Sequence, residues 1–138
     1  KKVMIEIINS KDKTYSPLAL YFIIDNNIEA TNEEINRYFD IIINDINLDI
    51  EIKNLNIYKK GLFNSSFISE NELLLILKPI INSDSFWKPH ALILLGEFFL
   101  DKNQNQKAKE FFSQVISIEM ANEKLKTKAK KRLIYIGE

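Results

Sequence analysis

His90 is the only histidine in the 138 residues, and cysteine is absent. A zinc site with two or more nitrogen or sulfur ligands therefore cannot be assembled within one chain. His90 stands at the start of an apolar stretch and reads as a half-exposed polar residue rather than a ligand or base. Gly61, Gly96 and Gly137 are isolated, so no glycine-rich loop is present to cradle a phosphate. Ser65-Ser66 and Ser113 lack the context of a nucleophile elbow. Glu33-Glu34 follows Thr31 by the spacing of a helix cap and is not an acid/base pair. The residue types that do chemistry do not converge. The chain is expected not to be an enzyme, to hold no metal and to need no cofactor.

Charge is distributed more pointedly. The 19 basic and 19 acidic residues cancel, which argues against nucleic acid as a partner of the chain as a whole. Yet eight acids and one base (Arg37) lie between Asp25 and Glu51, and nine bases and three acids lie between Lys102 and Arg132. Lys124, Lys128, Lys131 and Arg132 form a candidate basic patch, flanked by Lys126 and Lys130. Such a run is the solvated face expected of a terminal helix in a repeat protein. Its functional alternatives are an acidic partner, an anionic membrane surface or the acidic end of a second copy.

The elements that carry these residues are helical. Hydrophobic content of 46% with 28% charged residues is ordinary for a folded domain, and 138 residues make one domain, spanning 1–138. Three glycines and three prolines leave few breaks, and the long apolar patterns have a helical rather than an alternating period. Thr31-Asn32-Glu33-Glu34 and Ser69-Glu70-Asn71-Glu72 predict capping boxes, and Pro17 and Pro89 suit a first helical turn. Eight helices are predicted, near 2–10, 16–27, 32–44, 48–64, 70–81, 88–101, 105–118 and 122–136. Between them lie Asn/Asp/Ser-rich clusters such as Asn9-Ser10-Lys11-Asp12, Asp25-Asn26-Asn27 and Asn103-Gln104-Asn105. The isoleucine runs Ile41-Ile42-Ile43 and Ile80-Ile81 favour strands by propensity, but period and caps outweigh them. No apolar run approaches the roughly 20 residues of a membrane span. The start at Lys1, already inside an apolar-periodic segment, reads as an excised fragment from which any anchor or targeting segment could have been cut.

A repeat links the helices. Gly96 and Ala108 stand twelve residues apart, with Phe112 four further on. A glycine and an alanine on facing helices let two antiparallel helices cross closely, with aromatics filling the space beside the crossing. The same register gives Gly61, Leu73 and Leu77, and then Ile23, Ile35 and Phe39, at spacings of 35 and 38 residues. This is the pattern of a tetratricopeptide-like hairpin, whose repeat is about 34 residues. The fold class expected is all-α: a right-handed stack of about three hairpins with terminal helices.

From Tyr15 to Leu133 the chain resembles the tetratricopeptide-like domain of bacterial membrane-anchored proteins related to the ancillary Sec-translocon subunit. The residues that carry the likeness are Ser16-Pro17-Leu18-Ala19-Leu20, Phe86-Trp87-Lys88-Pro89-His90-Ala91 leading into Leu94-Leu95-Gly96, Lys107-Ala108 with Phe111-Phe112, and Lys128-Ala129 with Leu133. Ile35, Asn26 and Asn27 depart from the family's small residues. The resemblance implies a domain on the extracytoplasmic face of the inner membrane, held by an N-terminal anchor. It further implies that the domain binds translocon subunits or exported proteins as an accessory to export or envelope biogenesis. Mapping the concave face of such stacks onto this chain selects Leu55, Tyr58 and Leu62, with Ser65 and Ser66, and then His90, Ile93, Glu97, Leu100 and Asp101. These residues either form a partner-binding groove or belong to the core. Trp87 is expected to anchor its loop, its ring packed on Leu92 or Phe86. The alternative function is a self-assembly scaffold, a homo-oligomer joined through acidic and basic ends.

Overall fold

A computed structural model describes residues 1–137. Among them are eight helices and no strand: α1 (Lys2–Asn9), α2 (Tyr15–Asp25), α3 (Asn32–Asp45), α4 (Ile50–Asn64), α5 (Glu70–Ile81), α6 (Lys88–Asp101), α7 (Asn105–Ser117) and α8 (Glu123–Ile136). The chain is all-α, and each helix lies within two residues of its predicted place at either end. The isoleucine runs are helical because period, not propensity, decides what a segment can bury. Ile42 and Ile80 are buried and Ile43 and Ile81 partly so. The chain divides into two compact units, Lys1–Lys60 and Gly61–Glu138.

In the first unit α1, α2 and α3 pack on one another. Ile8, Leu20, Ile23, Phe39 and Ile42 are fully buried there. The α1–α2 corner closes through Ser16. Its buried hydroxyl accepts a bond from the Asp12 N–H (2.8 Å) and donates to the carbonyl of Ile7 (2.7 Å). Lys11, in the left-handed region at φ 57°, donates to the Ile8 carbonyl. The hydroxyl thus stands where a direct bond from the Asp12 N–H would otherwise complete a Schellman ending. The α2 and α6 ends carry the complete motif. Asn27 and Asn103 take φ of 50° and 60°, and the next residue's N–H reaches back five positions, Ile28 to Ile23 and Gln104 to Phe99. Asparagine tolerates this conformation better than other side chains, which is why Asn clusters mark the breaks in a chain poor in glycine. At the start of α3 the Thr31 box is complete. At α5 only half of it forms: Ser69 Oγ accepts from the Glu72 N–H, but Glu72 turns back to the Ser69 hydroxyl and not to its N–H.

Also in the first unit, the Tyr21 hydroxyl donates to Oδ1 of Asn56 on α4 (2.6 Å), while Asn56 Nδ2 donates to the Ile52 carbonyl (2.9 Å). Asn56 is fully buried, and both ends of its amide are thereby satisfied.

In the second unit α6 is central, packed by α5, α7 and α8. It is apolar around most of its circumference, as a helix covered on several sides must be. Pro89 lies in its first turn, as predicted. Gly96 brings α6 against α7: a Cβ built there would lie 2.7 Å from two ring carbons of Phe112. Gly61 makes a similar approach, its notional Cβ 2.8 Å from Cδ2 of Leu77. All nine positions of the proposed register, from Ile23 to Phe112, are buried. Glu70 at the head of α5 accepts a hydrogen bond from Gln104 and pairs with Lys107 on α7.

Candidate protein-binding site

The residues selected from the sequence fall in both units. Leu55 and Tyr58 belong to the first unit and are half-buried; burial raises the Tyr58 phenol above its ordinary pKa. Leu62, in the second unit, is exposed. Ile93 is only 6% exposed and belongs to the core, because α6 is packed by three helices rather than presented on an open face. Glu97, Leu100 and Asp101 line a polar cavity of about 620 Å³, whose other walls include Arg132, Tyr135 and Ile136 of α8. There the Arg132 Nε donates to Glu97 Oε1 at 2.7 Å. One residue of the predicted patch and one of the predicted groove are therefore partners. The charge of Arg132 is spent on α6, whereas Lys124, Lys128 and Lys131 point to solvent.

His90 lies elsewhere, in an apolar cleft of about 310 Å³ between the lead-in to α6 and the α7–α8 connection. Its floor is built from Pro89, Ile118, Ala121 and Leu125, and its rim carries Asp84, Lys88, Glu119 and Asn122. Two large side chains flank the opening, Phe86 at 66% exposure and Met120 at 92%. The lead-in is stiffened by its rings. Phe86 and Trp87 meet edge to face with centroids 5.2 Å apart, and Trp87 lies 4.8 Å from the His90 ring. Trp87 thus packs on Phe86, one of its two expected neighbours. Ser85 Oγ accepts from the Trp87 N–H (3.1 Å), and the Lys88 N–H donates to the Ser85 carbonyl. This small turn aims Phe86 outward while Pro89 enters the helix. Burial holds the His90 imidazole below its ordinary pKa, so it is neutral near pH 7.

The composition of the cleft suits an apolar side chain from another molecule. Met adapts to varied shapes and Phe offers a broad face. Met120 and Ile118 were not among the sequence-selected residues. For Met120 the one signal was an apolar residue in the connection after the predicted 105–118 helix, where polar ones are the norm, whereas Ile118 read as the last residue of that helix. Among the described residues no group of three or more histidine, cysteine, aspartate or glutamate side chains could hold a metal ion. No described helix is long and apolar enough to cross a membrane. No protein-family model, curated protein or solved structure matches the chain.

Proposed function

We propose that the chain is a protein-binding module, a tetratricopeptide-like right-handed stack of about three helical hairpins with terminal helices, and not an enzyme. It works by reversible burial of an apolar segment of a partner protein. The observation that carries this reading is the cleft beside α6: an apolar floor of about 310 Å³ with Phe86 and Met120 held in solvent at its mouth. Large apolar side chains left exposed around a concavity are what a partner covers. The hairpin reading is supported by the burial of all nine register positions and by the close approaches at Gly61 and Gly96.

The setting of the module, anchored on the extracytoplasmic face of the inner membrane as an accessory to export or envelope biogenesis, rests on the sequence resemblance alone. The self-assembly alternative has less charge to work with than the sequence suggests. Glu34, Asp40 and Asp45 are paired with Lys1, Lys60 and Lys11 within the first unit, and Arg132 with Glu97 within the second.

The test is photo-crosslinking from positions 86 and 120 of the full-length protein in its own cells, with adducts identified by mass spectrometry. Adducts to translocon subunits or exported proteins are expected, weakened by Met120→Asp. Adducts only between copies would replace this reading with the self-assembly scaffold. Absence of adducts at both positions would remove the cleft as a binding site.

A further inference from the structure

The outer face of α8 is not used by the cleft and has a composition of its own. Ala129 is buried, and Leu125, Leu133 and Ile136 are partly buried on its inner side. Lys124, Lys128, Lys131 and Tyr135 recur at intervals of four, three and four residues, which places them on one line of the helix surface. Lys130 and Ile134 lie on the adjacent line, and all six are exposed. A purely solvated capping helix needs the lysines but not the two large apolar side chains among them. Ile134 is 76% exposed and Tyr135 is 73% exposed. No other described side chain apart from Met120 matches Ile134 in exposure among the large apolar residues. Neither residue supports the core, and both sit at the C-terminal end of the lysine stripe.

We propose that this face of α8 is a docking surface for an anionic lipid bilayer, with the lysine ammonium groups on the lipid phosphates and Ile134 and Tyr135 lodged in the interface. Charge complementarity selects the occupant: four exposed lysines face outward while Arg132 is neutralised by Glu97, and the one acid of the helix, Glu123, is at its first residue. Lysines attract an anionic surface additively, about fivefold in partitioning for each one near the membrane. An aromatic ring with a polar tip beside an aliphatic side chain is the combination that settles at the headgroup boundary. Duplex nucleic acid, by contrast, would use the lysines and gain little from Ile134. The helix lies on such a surface and does not cross it. This inference does not depend on the cleft or on its partner.

The test is co-sedimentation of the chain with vesicles of phosphatidylcholine alone or containing about one-third phosphatidylglycerol. Binding is expected only with the anionic vesicles, and it should fall at high salt as screening shortens. Lys128→Glu with Lys131→Glu should lower partitioning by about 25-fold or more, and Ile134→Ser with Tyr135→Ser by about tenfold, with unchanged circular dichroism since all four positions are exposed. Failure to bind anionic vesicles would overturn the proposal. So would full binding by the Ile134/Tyr135 variant, which would reduce the effect to adsorption of charge, or equal affinity for a duplex DNA that is indifferent to that variant.

Discussion

Replacing Gly96 by alanine sets two opposed terms against each other. In a helix interior, alanine is favoured over glycine by about 1 kcal/mol. Against that, the new Cβ would lie 2.7 Å from two carbons of the Phe112 ring and 2.9 Å from a third. Carbon atoms settle at about 3.5–4.0 Å, so the ring must retreat by about 1 Å. Phe112 is fully buried, and a rigid ring cannot yield at one atom as a methyl can. Overpacking of this kind costs about 1–3 kcal/mol, leaving a net loss of about 1 kcal/mol and a melting temperature lower by about 4 °C. Gly61→Ala is the internal control. Its nearest neighbour is Cδ2 of Leu77 at 2.8 Å, the far end of a flexible side chain, so propensity should balance or exceed the clash. Urea and thermal unfolding by far-ultraviolet circular dichroism would measure both variants. In a Phe112→Leu background the Gly96→Ala penalty should vanish or reverse, a coupling of about 1–2 kcal/mol. A Gly96→Ala protein that melts above the parent, or a penalty that is the same with and without the Phe112 ring, refutes the close α6–α7 crossing.

Three further outcomes are expected. Tyr21→Phe strands the buried Oδ1 of Asn56 and should cost about 1–3 kcal/mol in urea unfolding, whereas Tyr21→Phe combined with Asn56→Leu should recover part of that loss. Asn103→Gly relieves a left-handed side-chain conformation at φ 60° and should leave stability unchanged or raise it by up to about 1 kcal/mol, because Asn103 donates only its backbone N–H to the Leu100 carbonyl. Burial holds His90 below its ordinary value of 6.5, so the unfolded chain takes up that proton first as pH falls. The His90 contribution is therefore fully present above pH 6.5 and is lost on acidification below it. Unfolding midpoints at about pH 8 and pH 5 should differ less in His90→Gln than in the parent, and an equal difference would show that His90 is not the group responsible.

The local structure was legible in the sequence because short-range rules determine it. The 3.6-residue period sets which side of each segment is apolar, Thr31 and Ser69 mark two helix starts, and asparagine in a glycine-poor chain marks where helices stop. Even one tertiary feature could be read, the register of Gly96, Ala108 and Phe112, since a residue without a side chain and a ring at that spacing leave a single economical crossing. The rest depended on which helices become neighbours. The apolar circumference of α6 said that it would be covered but not by which helices, so Ile93 read as either groove or core, and the packing of α5, α7 and α8 makes it core. Arg132 read as part of an open patch, but 35 residues of chain separate it from the Glu97 that accepts its bond. Asn56 looked like any polar residue of an amphipathic helix until Tyr21 reached it. The cleft itself is made by juxtaposing a lead-in and a connection that are remote in sequence. Periodicity fixes which face a helix must bury, but the partner that buries it, and the concavities left between partners, arise only when the chain packs.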